Sequence, residues 1–445
     1  MRSVSFHTLG CKVNAYETEV MKQLLLSAGY VLKPFEEAAD VTVINTCSVT
    51  NIADRKSRQM IHRARKLNPD TVIVAAGCFV QAEADKLIRE GCADIILGNE
   101  EKKNIVSVLE QWFGDPIHEL KKEVGDISAV REYKNPPAGS MTDHTRAFLK
   151  IEDGCNAFCS YCIIPYVRGR VRSREEGDIL EEAKKFASEG YRELVLTGIN
   201  LSAYGTDFSG LRGNRDLPRL VGKLSDIPGI KRIRIGSLEP EIITEEFISA
   251  LMQIPSFCPH FHLSLQSGCN DILKRMNRHY TTEEYLERIE LIRRHRPDAA
   301  ITTDVIVGFP GETEKEFETT KSFVKQVGFY EMHIFPYSRR EGTGASSFPG
   351  QLTAGEKSLR AGMLSGIEKE MSHAYRMSKI GRQGEMLAEE TIEILGEKYW
   401  VGSTKEYVRV AAPRIPNGQN RLFSGDITSF LTPEILLMGQ IVNVS

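Results

Sequence analysis

Two stretches of the chain alternate short apolar runs with helical patterns, which confines most of the fold to parallel sheets covered by helices. In the first stretch Val4–Leu9, Val41–Asn45, Thr71–Ala76 and Asp94–Leu97 read as strands. Helical patterns over Ala15–Ala28, Ala53–Leu67, Ala82–Arg89 and Ile105–Phe113 separate them. The second stretch runs from Ala147 to about Tyr375. Its strands are Ala147–Ile151, Leu194–Leu196, Ile233–Gly236, Phe261–Leu265, Thr302–Val307 and Met332–Phe335, separated by helices at Asp178–Ser188, Leu217–Leu224, Glu241–Met252, Thr282–Arg294 and Glu314–Gln326. Such a series predicts a partial parallel (β/α)6 barrel. Between the stretches, Gly, Pro and charged residues around "NPPAGS" read as a linker with room for one edge strand. After a polar helix ending near Lys379, short strands at Glu385–Ile394, Tyr399–Gly402, Val408–Val410, Asp426–Phe430 and Gln440–Val444 predict a small β-barrel. The expected division is a small flavodoxin-like parallel sheet domain of α/β class at 1–113, a linker at 114–145, the barrel at 146–377 and the β tail at 378–445.

Composition narrows the setting. With 41% hydrophobic and 26% charged residues the chain reads as an ordinary soluble protein. No apolar run approaches the roughly 18 residues that a membrane span needs. The N-terminus "MRSVSFHTLGCKVN" lacks the apolar core of a signal peptide. Nine cysteines without a targeting signal predict a cytoplasmic, reducing setting, where clustered cysteines are metal ligands or catalytic thiols more often than disulfides. A net charge of −3 means that any nucleic-acid contact must come from local patches.

The cysteines fall into two sets. Cys155, Cys159 and Cys162 stand as C-x3-C-x2-C in "EDGCNAFCSYCIIPYVRGR", directly after the first barrel strand, at the carboxyl end where barrel active sites lie. Three thiolates at this spacing can hold soft iron or zinc. With three ligands a [4Fe–4S] cube keeps one iron open to a small molecule. Zinc prefers four ligands, and no second C-x2-C pair is present. Cys11, Cys47 and Cys78 lie far apart, yet each immediately follows a predicted strand of the first domain. Carboxyl ends of parallel strands share one edge, so these thiols can converge on a second site. The alternative is three separately buried cysteines. Cys92 precedes its strand and belongs to the opposite edge; Cys258 and Cys269 fit no ligand set.

The C-x3-C-x2-C spacing resembles the signature of radical S-adenosylmethionine (SAM) enzymes. With both cysteine sets and the β tail, the whole chain resembles the radical SAM methylthiotransferases. The motifs "HTLGCKVN", "VINTCSVTNIADRKSR", "AAGCFVQ", "KIEDGCNAFCSYCIIPYVRGRVRSR", "LTGIN" and "DVIVGFPGETEKEF" carry the likeness. The form "HTLGCKVN" resembles the branch acting on N6-threonylcarbamoyladenosine at position 37, beside the anticodon of transfer RNA. The branch acting on isopentenyladenosine usually has "YGCQMN", and the one acting on a ribosomal protein "LGCPKN". The tail resembles the RNA-binding TRAM domain. The resemblance implies two [4Fe–4S] clusters, with Cys155, Cys159 and Cys162 holding the one that cleaves SAM and Cys11, Cys47 and Cys78 the auxiliary one. It implies that one SAM donates a methyl group to sulfur, and that a second yields the radical that takes hydrogen from carbon 2 of the adenine. It further implies transfer RNA, an external one-electron reductant and a sulfur donor as partners. The expected state is a monomer without membrane attachment. A zinc-containing RNA-binding module is the alternative of another class.

SAM-contact candidates follow from the barrel strand ends: Thr197, Gly198 and Asn200 after the second strand, Ser237 and Glu239 after the third, Gln266 after the fourth and Gly308 after the fifth, with Asp304 weaker. Gly198 and Gly308 could equally make turns, and Glu239 could start a helix. "GFPGET" lacks the Lys-Ser/Thr ending of a phosphate loop. For RNA, Arg168, Arg170, Arg172 and Arg174 alternate, which on extended backbone puts them on one face. Arg55 and Arg58 share a helical face with His62 and Arg65 in a basic run that holds no acid between Arg55 and Lys66. Either set could instead be a solvated or ion-paired face. The tail has seven Lys plus Arg against eight Asp plus Glu, a net of −1, so charge does not mark it for RNA. Tyr399, Trp400 and Tyr407 could stack on bases or fill the barrel core.

Overall fold

The computed structural model describes residues 1–134, 136–141, 144–208 and 216–444. Asn135 of "NPPAGS", Thr142 and Asp143 of the expected linker, and Ser445 of the tail lie outside the described residues.

The first sheet contains β1 (Ser3–Thr8), β2 (Val31–Lys33), β3 (Val41–Thr46), β4 (Val72–Gly77), β5 (Ile95–Leu97) and β6 (Lys121–Glu123). All pairs are parallel, in the order β2-β1-β3-β4-β5-β6. Helices α1 (Lys12–Ser27) and α4 (Ile105–Gly114) cover one face, with Met21, Leu25, Leu109 and Trp112 packed on Val43 and Val74. Helices α2 (Asn51–Leu67) and α3 (Cys78–Glu90) cover the other through Ile61, Phe79 and Leu87. Covered on both sides, β3 and β4 are buried at every position, which is why they read as unbroken apolar runs. The strand order reverses direction at β1 and β3, the place where open α/β sheets take ligands. Cys11 follows β1 and Cys47 follows β3. The one edge strand allowed for in the linker is β6, which extends this sheet beyond residue 113.

The second body begins with β7 (Ala147–Lys150). A short ribbon of β8 (Glu152–Asp153) and β9 (Arg172–Ser173) brackets the cysteine loop and α5 (Ile164–Arg168). Then follow α6 (Glu176–Ser188), β10 (Glu193–Thr197), α7 (Asp216–Ser225), β11 (Arg232–Ile235), β12 (Ser237–Leu238), α8 (Glu245–Met252) and β13 (His260–Leu263). The series ends with α9 (Asn270–Arg275), α10 (Thr282–His295), β14 (Ala300–Val307), α11 (Glu314–Val327), β15 (Glu331–Pro336) and α12 (Ala354–Met377). Strands β7, β10 and β11 form one parallel sheet and β12 to β15 another, joined by the Ile233–Phe257 bridge. The end strands β7 and β15 leave the barrel open along one side, where α1 packs against β7 and α12 against β15. Reciprocal Thr–Glu caps at Thr281, Thr313 and Thr353 fix the starts of α10, α11 and α12. The core lies between the strands and the outer helices, with Leu196, Ile235, Phe261 and Leu263 against Ile179, Phe186, Phe247 and Ile289.

The tail is a closed five-stranded barrel of β16 (Gln383–Ile394), β17 (Glu397–Thr404), β18 (Arg409–Pro413), β19 (Leu422–Thr432) and β20 (Ile435–Val444), in the order β16-β17-β18-β20-β19. Trp400 belongs to its core and donates Nε1–H to the carbonyl of Ile415, so it is not free to stack on a base. The barrel is anchored by fully buried Arg232 and Arg234 of β11, which donate to the carbonyls of Ser403, Thr404 and Lys405. Among the described residues no helix is long and apolar enough to cross a membrane.

Candidate metal centres and cofactor cleft

The C-x3-C-x2-C loop is shaped by its own backbone. Gly154 has φ +83°, and a side chain there would run into the Arg170 carbonyl. The Cys155 amide donates to the Gly169 carbonyl at 3.0 Å, closing the loop on the segment after α5. The Cys155 Sγ accepts from the Ala157 amide at 3.4 Å and from Asn200 Nδ2 at 3.8 Å. Cys159 Sγ accepts from Arg278 Nη1 at 3.3 Å. Burial, with Cys159 and Cys155 next to it, pushes the Cys162 thiol up to about 12. Burial and then Cys159 also raise the Cys155 thiol. Cys155 and Cys162 thus both stand beside Cys159, and a bound metal cation would turn such thiols into thiolates.

The second set converges from three strand ends. Cys11 caps α1, Cys47 follows β3, and Cys78 is the first residue of α3. Gly10, at φ +98°, lets the first loop touch the second: a Cβ there would stand 2.8 Å from Cys47 Sγ. Gly77, at φ +105°, would press a Cβ to 2.5 Å from the Thr46 carbonyl. Asn14 Nδ2 ties the loops together by donating to the carbonyls of Leu9 and Thr46. Burial pushes the Cys47 thiol up to about 11, with Cys78 and Cys11 adding to it. Cys11 alone of the three is accessible. Cys92 lies in the core against α2 and α3, and Cys269 packs with Ile272 and Phe309; Cys258 is fully buried.

One buried charge network lies between the two sites. Glu17 of α1 meets Lys102 at 2.5 Å, Lys150 at 2.7 Å and Arg168. Asp153 meets Lys150 at 2.7 Å and Arg172 at 3.6 Å. The four cations Lys102, Lys150, Arg168 and Arg172 thus face two carboxylates. Arg168 also donates Nε–H to Cys78 Sγ at 3.2 Å. A buried surplus of positive charge is costly unless anions compensate it. Thiolates carrying a metal cluster supply such anions, so Cys78 beside Arg168 fits an iron–sulfur centre, and Cys159 beside Arg278 offers the first set a comparable cation.

The same network corrects the expected row of RNA-facing arginines. Arg168, Arg172 and Arg174 are buried at 0%, 2% and 3% exposure. Arg174 is held by Glu182 and Tyr16. Only Arg170 of the four is exposed, stacked 4.5 Å over the Phe158 ring. On α2, Arg55 is exposed, and Arg58 is half-buried, 3.6 Å from Glu90.

Next to Cys159 opens a cleft of about 320 Å³ lined by Asn156, Asn200, Glu239, Glu241 and Arg278. Asn200 and Glu239 thus share a cavity with the first thiol set. Asn200 Oδ1 is buried without a partner among the described residues. A free amide acceptor, a carboxylate and a guanidinium suit the zwitterionic head of an amino acid such as SAM. Thr197 is buried at the end of β10, and a Cβ on Gly198 would stand 2.6 Å from Glu152 Oε2. Ser237 is exposed at the start of β12. Gln266 holds φ +64° and lines a second cleft of about 200 Å³ with Cys162, Asp304 and Phe335. Gly308 is turned against Lys357 of α12 and gives its amide to Glu312, so it serves a turn.

Two participants escaped the sequence reading. Glu152 accepts the amides of Ile199 and Asn200 at 2.8 Å each and thereby sets the "LTGIN" loop; burial pushes its carboxyl up to about 8. Its position in "KIEDGC" was the available signal. Arg278 joins Glu239 to Cys159, and nothing local in the sequence marks it.

Comparisons with known proteins agree with this geometry. The radical SAM superfamily profile matches residues 149–324, and that of the uncharacterized protein family UPF0004 matches residues 3–98. A threonylcarbamoyladenosine tRNA methylthiotransferase from Bacillus subtilis is 41% identical, covering 92% of this chain and 90% of its own. A tRNA-2-methylthio-N(6)-dimethylallyladenosine synthase from Carboxydothermus hydrogenoformans is 37% identical over 86% of this chain and 87% of its own. Among solved structures, a radical SAM methyltransferase from Kitasatospora setae shares the fold at a TM-score of 0.54 and 14% identity, covering 78% of this chain and 75% of that one. Enzymes built this way use SAM and [4Fe–4S] clusters, and the chain belongs to the radical SAM methylthiotransferase family.

Proposed function

We propose that this chain converts N6-threonylcarbamoyladenosine at position 37 of transfer RNA to its 2-methylthio derivative. The observation that carries the reading is Arg168 of the barrel binding Cys78 and Glu17 of the sheet domain, beside two three-cysteine sets, in a chain 41% identical to a relative named for that activity. When bound, the clusters and SAM supply the one-electron chemistry and the sulfur that joins carbon 2. The chain's own groups hold and orient. Cys155, Cys159 and Cys162 ligate the SAM-cleaving cluster, and Cys11, Cys47 and Cys78 the auxiliary one. Asn200 and Glu239 take the head group of SAM, and Glu152 holds the Asn200 loop in place. Arg278 donates to Cys159 and keeps Glu239 aligned. Tyr161, Ile163 and Phe335 give the second cleft an apolar wall that keeps water from the reacting atoms. Arg170, Arg55 and the TRAM-like barrel contact RNA. A cytoplasmic reductant and a sulfur donor complete the cycle.

Nucleoside mass analysis of transfer RNA from a deletion strain tests this. The methylthio form of threonylcarbamoyladenosine should vanish and the unmodified form accumulate. Loss of the methylthio form of isopentenyladenosine in its place would move the enzyme to the other branch.

A further inference from the structure

Lys12 directly follows Cys11 and begins α1, and both residues are accessible. Its Nζ stands 6.0 Å from the ring of Tyr407, on the turn between β17 and β18. Tyr407 holds φ +68°, a conformation that a bulky residue keeps only where its surroundings impose it. The surroundings are Arg234 at 4.7 Å and Arg146 at 5.1 Å from the ring centroid, with the His260 ring at 5.1 Å. Residues from the sheet domain, the open barrel and the tail barrel therefore meet at one spot, one residue from the accessible thiol of the auxiliary site.

The charges there are unequally satisfied. Arg234 binds Glu193 at 2.9 Å, and Arg146 reaches Glu389 at 3.4 Å and Glu193 at 3.9 Å. Nearby Asp304 is held by His333 at 3.0 Å and His262 at 3.3 Å. Among the described residues no carboxylate lies within ion-pair distance of Lys12. Burial pushes the Tyr407 phenol up, but Arg146, Lys12 and Arg234 outweigh it and draw it below the ordinary tyrosine value. The two arginines thus have carboxylate partners, and Lys12 is the cation of the group left without one among the described residues.

Adenosines with threonylcarbamoyl or isopentenyl groups on N6 differ in just this respect. The first ends in a free carboxylate; the second is a hydrocarbon. Burial, with Arg146 and Arg234 nearby, already lowers the Lys12 ammonium from its ordinary value; an apolar group would disfavour it further, whereas a carboxylate would form a charge-assisted hydrogen bond with it. Carbon 2 and carbon 6, which bears N6, both flank N1 of the same pyrimidine ring, so a cation beside the sulfur-bearing site is within side-chain reach of the N6 substituent. We infer that Lys12 binds the carboxylate of the threonylcarbamoyl group and thereby selects that adenosine over its isopentenyl counterpart. This rests on the function proposed above and names the residue that reads the substrate.

The test uses the full-length, anaerobically reconstituted enzyme and anticodon stem-loop RNAs with three different residues at position 37. These carry threonylcarbamoyladenosine, its carboxamide analogue, or isopentenyladenosine. Wild type should turn over the acid at least about tenfold better than the amide, the scale of one hydrogen bond to a charged group. Lys12→Gln should bring that ratio to within about twofold, and Lys12→Arg should restore most of it. A wild type that modifies the acid and the amide equally well would overturn the inference and leave the proposed function standing. A Lys12→Gln enzyme that is weaker on acid and amide alike would mean a phosphate contact, and the inference falls. A wild type that is inactive on the acid but active on the isopentenyl RNA would overturn the function and the inference together. A folded Lys12→Gln enzyme that keeps the wild-type acid-to-amide ratio, or a Lys12→Arg enzyme that loses it, would overturn the inference as well.

Discussion

Arg168 donates its Nε–H to the Sγ of Cys78 at 3.2 Å while the same guanidinium grips Glu17 and the Asn14 side chain. A residue of the barrel thus supports a cysteine of the sheet domain, and Glu17 takes cations from both bodies.

Replacing that guanidinium should disturb one site more than the other. Arg168→Met removes the hydrogen bond to Cys78 and one cation facing Glu17. Breaking a buried pair costs about 3–5 kcal/mol, which chemical denaturation would register. Iron should fall from about eight to about four per chain, the auxiliary cluster being lost. Full iron in the variant would reduce Arg168 to a packing role.

The two thiol sets should be separable by their ligands. Cys47→Ala should halve the iron yet leave SAM cleavage measurable, whereas Cys159→Ala should abolish cleavage. Equal loss of cleavage in both would show that the sites act as one.

Glu152 gives a pH dependence with a definite sign. Burial pushes its carboxyl up to about 8, from about 4.3 in a free chain. The folded state therefore keeps a proton that the unfolded chain releases. Its stability is greatest below about pH 4.3 and declines as pH rises toward about 8. Thermal midpoints across that range should decline in wild type, and Glu152→Gln should remove that share of the decline. An unchanged slope would mean that Glu152 is ionised in the fold.

Arg170 and Arg174 alternate in sequence but should fail differently. Arg170→Ala should leave stability within about 0.5 kcal/mol and lower the salt slope of RNA binding by about 1. Arg174→Ala strands Glu182 in the interior and should cost about 3–5 kcal/mol. Denaturation curves and salt-dependent RNA titrations separate the two.

The strands that carry Cys47 and Cys78 were legible because burial on both faces writes an unbroken apolar run, "VTVINT" and "VIVAAG". Strands β2 and β6 left no such mark: each has three residues, largely exposed, at an edge of the sheet. The alternating arginines were misread for another reason. Period two says which residues share a face but not what covers it, and β9 is a two-residue strand paired with β8 at the junction of two domains. The positions of the six cysteines could be anticipated because each is fixed by a strand end or by local spacing. Arg278 beside Cys159 and Tyr407 beside Lys12 are long-range neighbours, the first brought together by closure of the barrel and the second by packing between domains.

The sharing of Glu17 also bears on biosynthesis. Domains emerge from the ribosome in order, so the sheet domain with Glu17 and Lys102 is complete before Lys150 and Arg168 exist. Until the barrel docks, Cys78 lacks the guanidinium that supports it, and Lys150 and Arg168 have only Asp153 as a buried anion to face. Neither half is electrostatically finished alone. Docking of the barrel thus completes the charge balance around Glu17 and brings Cys78 its guanidinium partner.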